Sequence, residues 1–563
     1  MDILKNMKKS DRIKVLQYFA IFLLLTLYSL SFFMKIVVGF NCGISSSQED
    51  HPKIQAFSDN RLLSTNDSNY AHHVEVSMAI SDFPDEVIFV GWKNSETHSG
   101  GGARVSIVKS TDRGETWTNP YDMPMYGGRF TRQSDPWLYW YNGTIYYSYL
   151  EFEPGYFSNP SGDYLTQITV AKSIDYGNTW SPIKATNGTY FADKETIVVG
   201  ENNTIYVAYD DVDISPTGNA TVRITRSIDG GNTYQEISDL GEDFYFVGPY
   251  VTLNNNGEVF LAWTWAPDVG GNLYFTKSID YAITFDPPQH INQDGNYCFF
   301  EAIGNSPSKA TLPVIKFDQN ARLYVLWADK YDQPADTWDV YLRYSEDFGS
   351  TWTERIRINP STSGHQWNPD MVIDKTGRLH IVYYSEEGGN YKPYYRTVNF
   401  TGSNRNETEF SDQIAIADRD TSSAFFRPGE YFAIQLDNNG IPHVAWSDGR
   451  DNEMDIYYAH GLTEIPPSFN IVLVIVIIAI ISTISLVTIF YIRHRRKLQI
   501  ITDKVDKTTK ERRKAYRKTF LYFCETCKKF SHMFTEFCEN CGGKASLRKA
   551  TKKDYENYMS ELK

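Results

Sequence analysis

Four cysteines near the C-terminus carry the plainest chemistry in this chain. Cys524 and Cys527 form one C-x2-C, and Cys538 and Cys541 form a second, ten residues further on, in YFCETCKKFSHMFTEFCENCGGK, 522–544. Four thiolates at that spacing suit tetrahedral Zn2+. A pair of redox-active C-x-x-C motifs is the alternative, but nothing around them reads as a thioredoxin-like fold. With sulfur at all four positions a closed, structural site is expected. Metal would then supply folding energy that so short a segment lacks. His532 lies between the knuckles and reads as an exposed residue, not a fifth ligand. The expectation is a zinc ribbon at 521–545 followed by a tail at 546–563.

The second group of chemically loaded residues is repeated. STDRGETW (110–117), SIDYGNTW (173–180), SIDGGNTY (227–234), SIDYAITF (278–285) and SEDFGSTW (345–352) spell one turn five times. A single active site does not need five copies, so Asp112, Asp175, Asp229, Asp280 and Asp347 read as structural. Each aspartate can accept hydrogen bonds from nearby backbone N–H groups. The glycine supplies a positive φ, and the tryptophan is an apolar anchor under the turn. The copy at 278 has Ala282 and Phe285 in place of the glycine and tryptophan.

These turns belong to larger units. About thirty residues upstream of each copy, a turn leads into an apolar strand that ends in an aromatic residue. The aromatics are Trp92, Tyr149, Tyr209, Trp263, Trp327, Tyr383 and Trp446, at spacings of 54 to 64 residues. Such a period marks a repeat architecture. Each unit reads as four short strands, the first two joined by an Asn-Gly type turn. Seven such units close into a β-propeller. The last unit stops after DIYYAHGL (455–462) without a fourth strand, so the stretch near Arg61–Ser64 is expected to supply it.

S-x-D-x-G-x-T-W resembles the Asp-box, or BNR repeat, of the sialidase-like propellers. The likeness spans residues 55–462, about seven-tenths of the chain, and is closest to a seven-unit branch. It implies an all-β, seven-bladed propeller of four-stranded blades. The first strands would line the channel, the active face would lie where they begin, and the Asp-box turns would sit on the opposite face. Glu75, Arg132, Asp135, Asp193, Glu195, Asn368, Arg427, Glu430 and Tyr431 fall near those strand starts.

A sialidase needs three arginines for the substrate carboxylate, a tyrosine nucleophile activated by a glutamate, and an aspartate as acid/base. The family's F-R-I-P signature is absent; FFRPGEY (425–431) lies in the last unit. Arg132, Arg427 and Tyr431 make only a partial set, with no third arginine in place. A hydrolase of neutral glycans would instead need one protonated and one ionised carboxylate, for which Asp135, Asp193 and Glu195 are the candidates. Loops between second and third strands are acidic: Glu151 and Glu153; Asp210, Asp211 and Asp213; Asp329, Asp332 and Asp336; Glu386 and Glu387; Asp448 and Asp451. A negative rim there would disfavour an anionic sugar and suit a neutral glycan, a basic protein or a cation such as Ca2+. The sequence therefore favours a glycan- or protein-binding domain, with a sialidase-like or neutral-glycan hydrolase as the alternative.

Charge completes the plan. The 563 residues carry a net −14, split as +4 over 1–40, −29 over the middle and +11 over 493–563. An apolar run at 18–34 follows a basic start at 1–17, and FNIVLVIVIIAIISTISLVTIFYI, 469–492, is long enough for a helix to cross a bilayer. The first reads as an anchor within 18–40, with a cleaved signal peptide as the alternative. Basic residues after the second place the tail inside, so a membrane-embedded protein with an extracellular or lumenal propeller at 76–462, after a linker and ring-closing strand at 41–75, is expected. The basic linker at 493–520 reads as a solvated segment near anionic headgroups. The ribbon would meet a cytosolic protein, and nucleic acid is not expected as a partner.

Overall fold

The computed structural model describes residues 52–463 and 522–561, apart from 66–69, 83–85, 98–100, 154–165, 187–190, 213–219, 244–245, 266–271, 293–311, 332–336, 402–406, 423–428, 430, 532–535, 543 and 545–546. The chain divides into two compact units, one up to Glu464 and one from Ile465.

Among the described residues the first unit is built of seven antiparallel sheets, numbered here in chain order. Their first strands are His72–Ile80, Arg132–Tyr141, Phe191–Val199, Phe246–Leu253, Val314–Phe317, Gln366–Ile373 and Ala433–Leu436. Sheets 1 to 5 have four strands each. In sheet 6 the third strand, Asn390–Thr401, pairs with three further short segments. Sheet 7 is completed from the start of the chain. Ile54–Phe57 and Arg61–Leu62 both pair with Asp455–Thr463. Each first strand packs on that of the next sheet, and the last returns to the first. All seven line one central cavity of about 320 Å3. The arrangement is consistent with a β-propeller.

Local sequence explains the hairpins. In sheet 2 Asn142 and Gly143 take φ of 43° and 81°, the two positive values that a type I′ turn requires. In sheets 4 to 7 a side chain closes the same connection. Asn254, Asp318, Asp374 and Asp437 each accept backbone N–H groups two and four residues on. The second strands are apolar along most of their length because they are covered by sheets on both sides. Trp92, Trp263, Trp327 and Trp446 are fully buried there, and truncating such a side chain to Ala typically costs about 3–5 kcal/mol.

The five repeated turns share one geometry. In the first, Ser110 Oγ donates to Asp112 Oδ1 at 2.8 Å and accepts Gly114 N–H at 2.8 Å. Asp112 also accepts Thr116 N–H and Thr116 Oγ1. These bonds, led by those from Thr116, hold the Asp112 carboxyl down at about 2. Ala282 keeps the left-handed conformation of the missing glycine, with φ 65°, and still donates to Ser278 Oγ.

The turns are also clamped from sheet to sheet. The residue before each motif serine reaches a backbone carbonyl of the next motif: Lys109 to Tyr176 O, Lys172 to Gly230 O, Arg226 to Tyr281 O and Lys277 to Phe348 O. Sheet 6 has no motif, and the residue before Ser345 is Tyr344, without a cation. Between sheets 7 and 1 Tyr458 takes the role, donating to Arg113 O at 3.3 Å.

The second unit contains a three-stranded sheet, with Tyr522–Cys524 between Phe530–Ser531 and Leu547–Lys549, and the α-helix Lys552–Glu561. Phe523, Phe530 and Tyr555 form its small core.

The expectation of flanking transmembrane helices is corrected here. Among the described residues no helix is long and apolar enough to cross a membrane. Lys552–Glu561 is polar and has ten residues, about 15 Å of helix against a hydrocarbon core of about 30 Å. The apolar runs at 18–34 and 469–492 lie outside the described residues, as does the basic linker at 493–520.

Candidate functional site

The site grows from an irregularity repeated in the first strands. In sheets 1, 2, 3, 4 and 6 the pairing with the second strand slips by one residue near its start. Two residues then face one, which is a β-bulge. The bulged pairs are Glu75–Val76, Asp135–Pro136, Lys194–Glu195, Gly248–Pro249 and Asn368–Pro369. The single residue opposite each is the repeated aromatic: Trp92, Tyr149, Tyr209, Trp263 and Tyr383. By the same count Leu312 and Tyr431 hold the first bulge position in sheets 5 and 7.

The first bulge residue is left-handed in all five: Glu75 at φ 58°, Asp135 at 52°, Lys194 at 52°, Gly248 at 63° and Asn368 at 44°. Glycine adopts this conformation freely, whereas another residue pays roughly 1–2 kcal/mol. Sheet 4 uses glycine. Sheets 1, 2 and 3 keep charged side chains at that cost, and those side chains meet.

Lys194 Nζ lies 3.0 Å from Asp135 Oδ2 and 3.8 Å from Asp193 Oδ2. Lys93 pairs with Glu75. Against the pull of burial, Lys194 and Lys93 hold the Asp135 carboxyl well below its usual range. Asp193, within hydrogen-bonding reach of Asp135, moves the other way. Burial, opposed by Lys194, and the charge of Asp135 push it well up. Burial and the charge of Asp135 do the same to Glu195, and burial lifts Asp210 to about 7. Tyr431 is buried beside Asp135, Lys194, Glu195 and Glu75, with its ring edge-on to Trp137 at 5.5 Å. Asp193 and Lys194, with 21% and 11% of their side chains exposed, reach solvent, whereas Glu195 is 0% exposed.

Several polar groups of the cluster are left without partners. Both carboxyl oxygens of Glu195, Asp210 Oδ1 and Asn368 Oδ1 are buried without a hydrogen-bond partner among the described residues. Tyr431 Oη is likewise without one.

Of the sequence candidates, Asp135, Asp193, Glu195 and Tyr431 come together. Arg132 does not join them. Its guanidinium grips Glu96, at 3.0 Å through NH1, and donates to Gly102 O. Arg427 and Glu430 lie outside the described residues. Lys93 and Lys194 belong to the cluster and were missed, and Asp210, read in the sequence as part of an acidic rim, belongs to it as well. Their sequence signal is position: Lys93 and Asp210 directly follow a repeated aromatic, and Lys194 sits where glycine sits in sheet 4.

The acidic rim is largely a misreading. Many of those acids turn inward and serve their own loops. Asp329 accepts Trp327 Nε1, and Asp448 accepts Trp446 Nε1 and pairs with Arg450. Asp211 pairs with Arg223, and Glu151 accepts Tyr126 N–H and Gln167 Nε2. Asp213, Asp332 and Asp336 lie outside the described residues. Among the described residues the propeller carboxylates do not converge as a metal-ligand set, so the Ca2+ expectation finds no site there.

The cysteines do converge. The sulfurs of Cys524, Cys527, Cys538 and Cys541 lie within 4.8 Å of one another, and Cys527 and Cys538 are 3.7 Å apart. That separation suits two sulfurs on one tetrahedral ion at about 2.3 Å. The knuckles match in backbone: Lys528 donates to Cys524 O and Gly542 to Cys538 O, both left-handed, at φ 60° and 64°. Backbone N–H groups of Cys527 and Thr526 hold the Cys524 thiol down at about 6. Burial and the neighbouring sulfurs push Cys527 up to about 11, so four thiolates need a cation among them. The cluster can bind a metal ion and is compatible with zinc.

No protein-family model and no curated protein sequence matches the chain. Solved structures do resemble it. A protein of unknown function from Dyadobacter fermentans aligns at 16% identity over 59% of this chain and 95% of its own, with a TM-score of 0.42. The Hadza microbial sialidase Hz136 aligns at 15% identity over 58% and 66%, at 0.41. An α-L-arabinanase of Penicillium chrysogenum, solved with arabinobiose, aligns at 13% identity over 72% and 98%, at 0.38. Likeness at this level assigns no residue and no activity.

Proposed function

We propose that the seven sheets form a seven-bladed, sialidase-like propeller that binds an uncharged, hydroxyl-rich ligand, a neutral glycan, at the bulge end of its channel. The observation that carries this reading is the set of buried oxygens at Glu195, Asp210 and Asn368 left without a hydrogen-bond partner among the described residues. A partner for such a cluster must bring both donors and acceptors, and a sugar hydroxyl is both. With burial pushing Asp193 and Glu195 toward their neutral forms, Glu75 and Asp135 are balanced by Lys93 and Lys194, so no surplus positive charge is left to hold an anionic sugar, and Arg132 is engaged elsewhere. Asp193 forms the accessible edge. In the second unit the four cysteines hold a structural Zn2+.

The test is calorimetric titration of the purified chain with neutral oligosaccharides, beside Asp193→Asn. Loss of one neutral hydrogen bond should weaken binding about three- to tenfold. Unchanged affinity would remove Asp193 from the site.

One observation favours a second reading, hydrolysis. Asp193 and Asp135 are shifted in opposite directions, so a proton donor stands beside an ionised carboxylate. Release of new reducing ends by the wild-type chain, abolished in Asp193→Asn, would support it. Binding without release would leave the domain a receptor.

A further inference from the structure

Deeper in the channel lies a pocket of different chemistry. Trp137 packs against Tyr431 and Leu312 and meets Tyr250 edge-on at 5.2 Å. Tyr431 and Leu312 belong to the bulge ring, while Trp137 and Tyr250 line the cavity of about 320 Å3, whose walls also include Val76, Met78, Tyr139, Ile197 and Phe432. Ile80, Trp140, Leu253 and Phe317, at its Asp-box end, are half-buried.

Two opposite charges face this cavity. Lys316 comes from the first strand of sheet 5 and Asp370 from that of sheet 6. Asp370 accepts the N–H groups of Met371 at 2.8 Å and Ile434 at 3.1 Å. Lys316 senses the charge of Asp370, yet among the described residues the two do not close into an ion pair, and the ammonium has no hydrogen-bond acceptor. The other polar side chains in the lining are those of Ser77, Thr252 and Gln435, beside the backbone of the first strands. Ser77 Oγ accepts Leu138 N–H, and Gln435 donates to Met78 O.

We propose that this cavity binds a small zwitterion of the α-amino-acid type with an apolar side chain, its carboxylate on Lys316 and its ammonium on Asp370. A simple anion would satisfy Lys316 but face Asp370, and a simple cation would do the reverse. Either would bring net charge into a low-dielectric channel. A zwitterion satisfies both groups and remains neutral overall, while the apolar walls take its side chain.

The test is titration of the full chain with L-phenylalanine, with 3-phenylpropionate and phenethylamine as single-charge controls. L-Phenylalanine should bind, and each control should bind at least about tenfold more weakly, the loss of one ionic hydrogen bond. Lys316→Met should abolish binding, and Asp370→Asn, which keeps one acceptor oxygen for the backbone N–H groups, should weaken it at least about tenfold, both variants still unfolding in one cooperative transition. If 3-phenylpropionate binds as tightly as L-phenylalanine, the site is a plain anion site and the proposal fails. If none of the three binds at concentrations up to about 10 mM, above the range of any useful site, the cavity is not a ligand site and the proposal fails.

Discussion

Replacing Glu195 with Gln should make the protein more stable at neutral pH. The side chain is 0% exposed, neither carboxyl oxygen has a partner among the described residues, and burial pushes its pKa well up. In the unfolded chain the same group ionises near about 4.3. Above that value the unfolded state has released a proton that the folded state still holds. Stability is therefore fully present below the unfolded value and falls as pH rises, until the folded group ionises too. One proton gives a slope of at most about 1.4 kcal/mol per pH unit. Gln keeps the shape and cannot ionise, so its curve lacks this part of the slope. Asp193 and Asp210 are also shifted up and leave a slope in both proteins, so the difference between the curves isolates Glu195. The assay is urea unfolding followed by tryptophan fluorescence from about pH 4 to about pH 8. Curves that converge at the acid end and diverge with rising pH, the variant above, are expected. Parallel curves, or a variant less stable throughout, would mean that Glu195 is ionised and paired in the folded state.

Other perturbations test the scaffold. Lys172→Met removes bonds to Gly230 O at 2.8 Å and Asn232 Oδ1 at 2.7 Å and should lower unfolding free energy by about 1–3 kcal/mol; no loss in denaturant titration would show the clamp to be incidental. Gly349→Ala would place a Cβ 2.2 Å from Phe275 at φ 84°, whereas Gly388→Ala has only the positive φ to contend with. The first should cost about 2 kcal/mol or more and the second about 1 kcal/mol, and equal midpoints would contradict the contact. Chelation should release one metal ion per chain and unfold the 522–561 segment, seen as loss of its amide dispersion by NMR, with Cys538→Ser behaving as the chelated protein; retained structure without metal would refute a folding role.

Much of this was legible in the sequence. The five turns show their staple directly, because Ser, Asp, Gly and Thr bond within eight residues. The cysteine spacing is local in the same way. The carboxylates Asp135, Asp193 and Glu195 could be placed because strand starts follow from the repeat. The bulge could not be seen, because it is a count of residues across two strands, although Pro after Asp135, Gly248 and Asn368 marks its second position, where no N–H is needed. The clamp was overlooked although a basic residue precedes four of the five motif serines, since its partner lies about sixty residues away. The rim was misjudged because charge alone does not tell an exposed aspartate from one that accepts a buried indole N–H, as Asp329 and Asp448 do.

The central claim is that the bulge ring, with its unpartnered buried oxygens, takes an uncharged glycan. It is tested most directly by titrating the purified chain with neutral oligosaccharides and with their sialylated counterparts in one calorimetric series. Binding of a neutral oligosaccharide, lost on sialylation and weakened in Asp193→Asn, is the predicted result. Tighter binding of the sialylated forms, or no binding by either set, would contradict it.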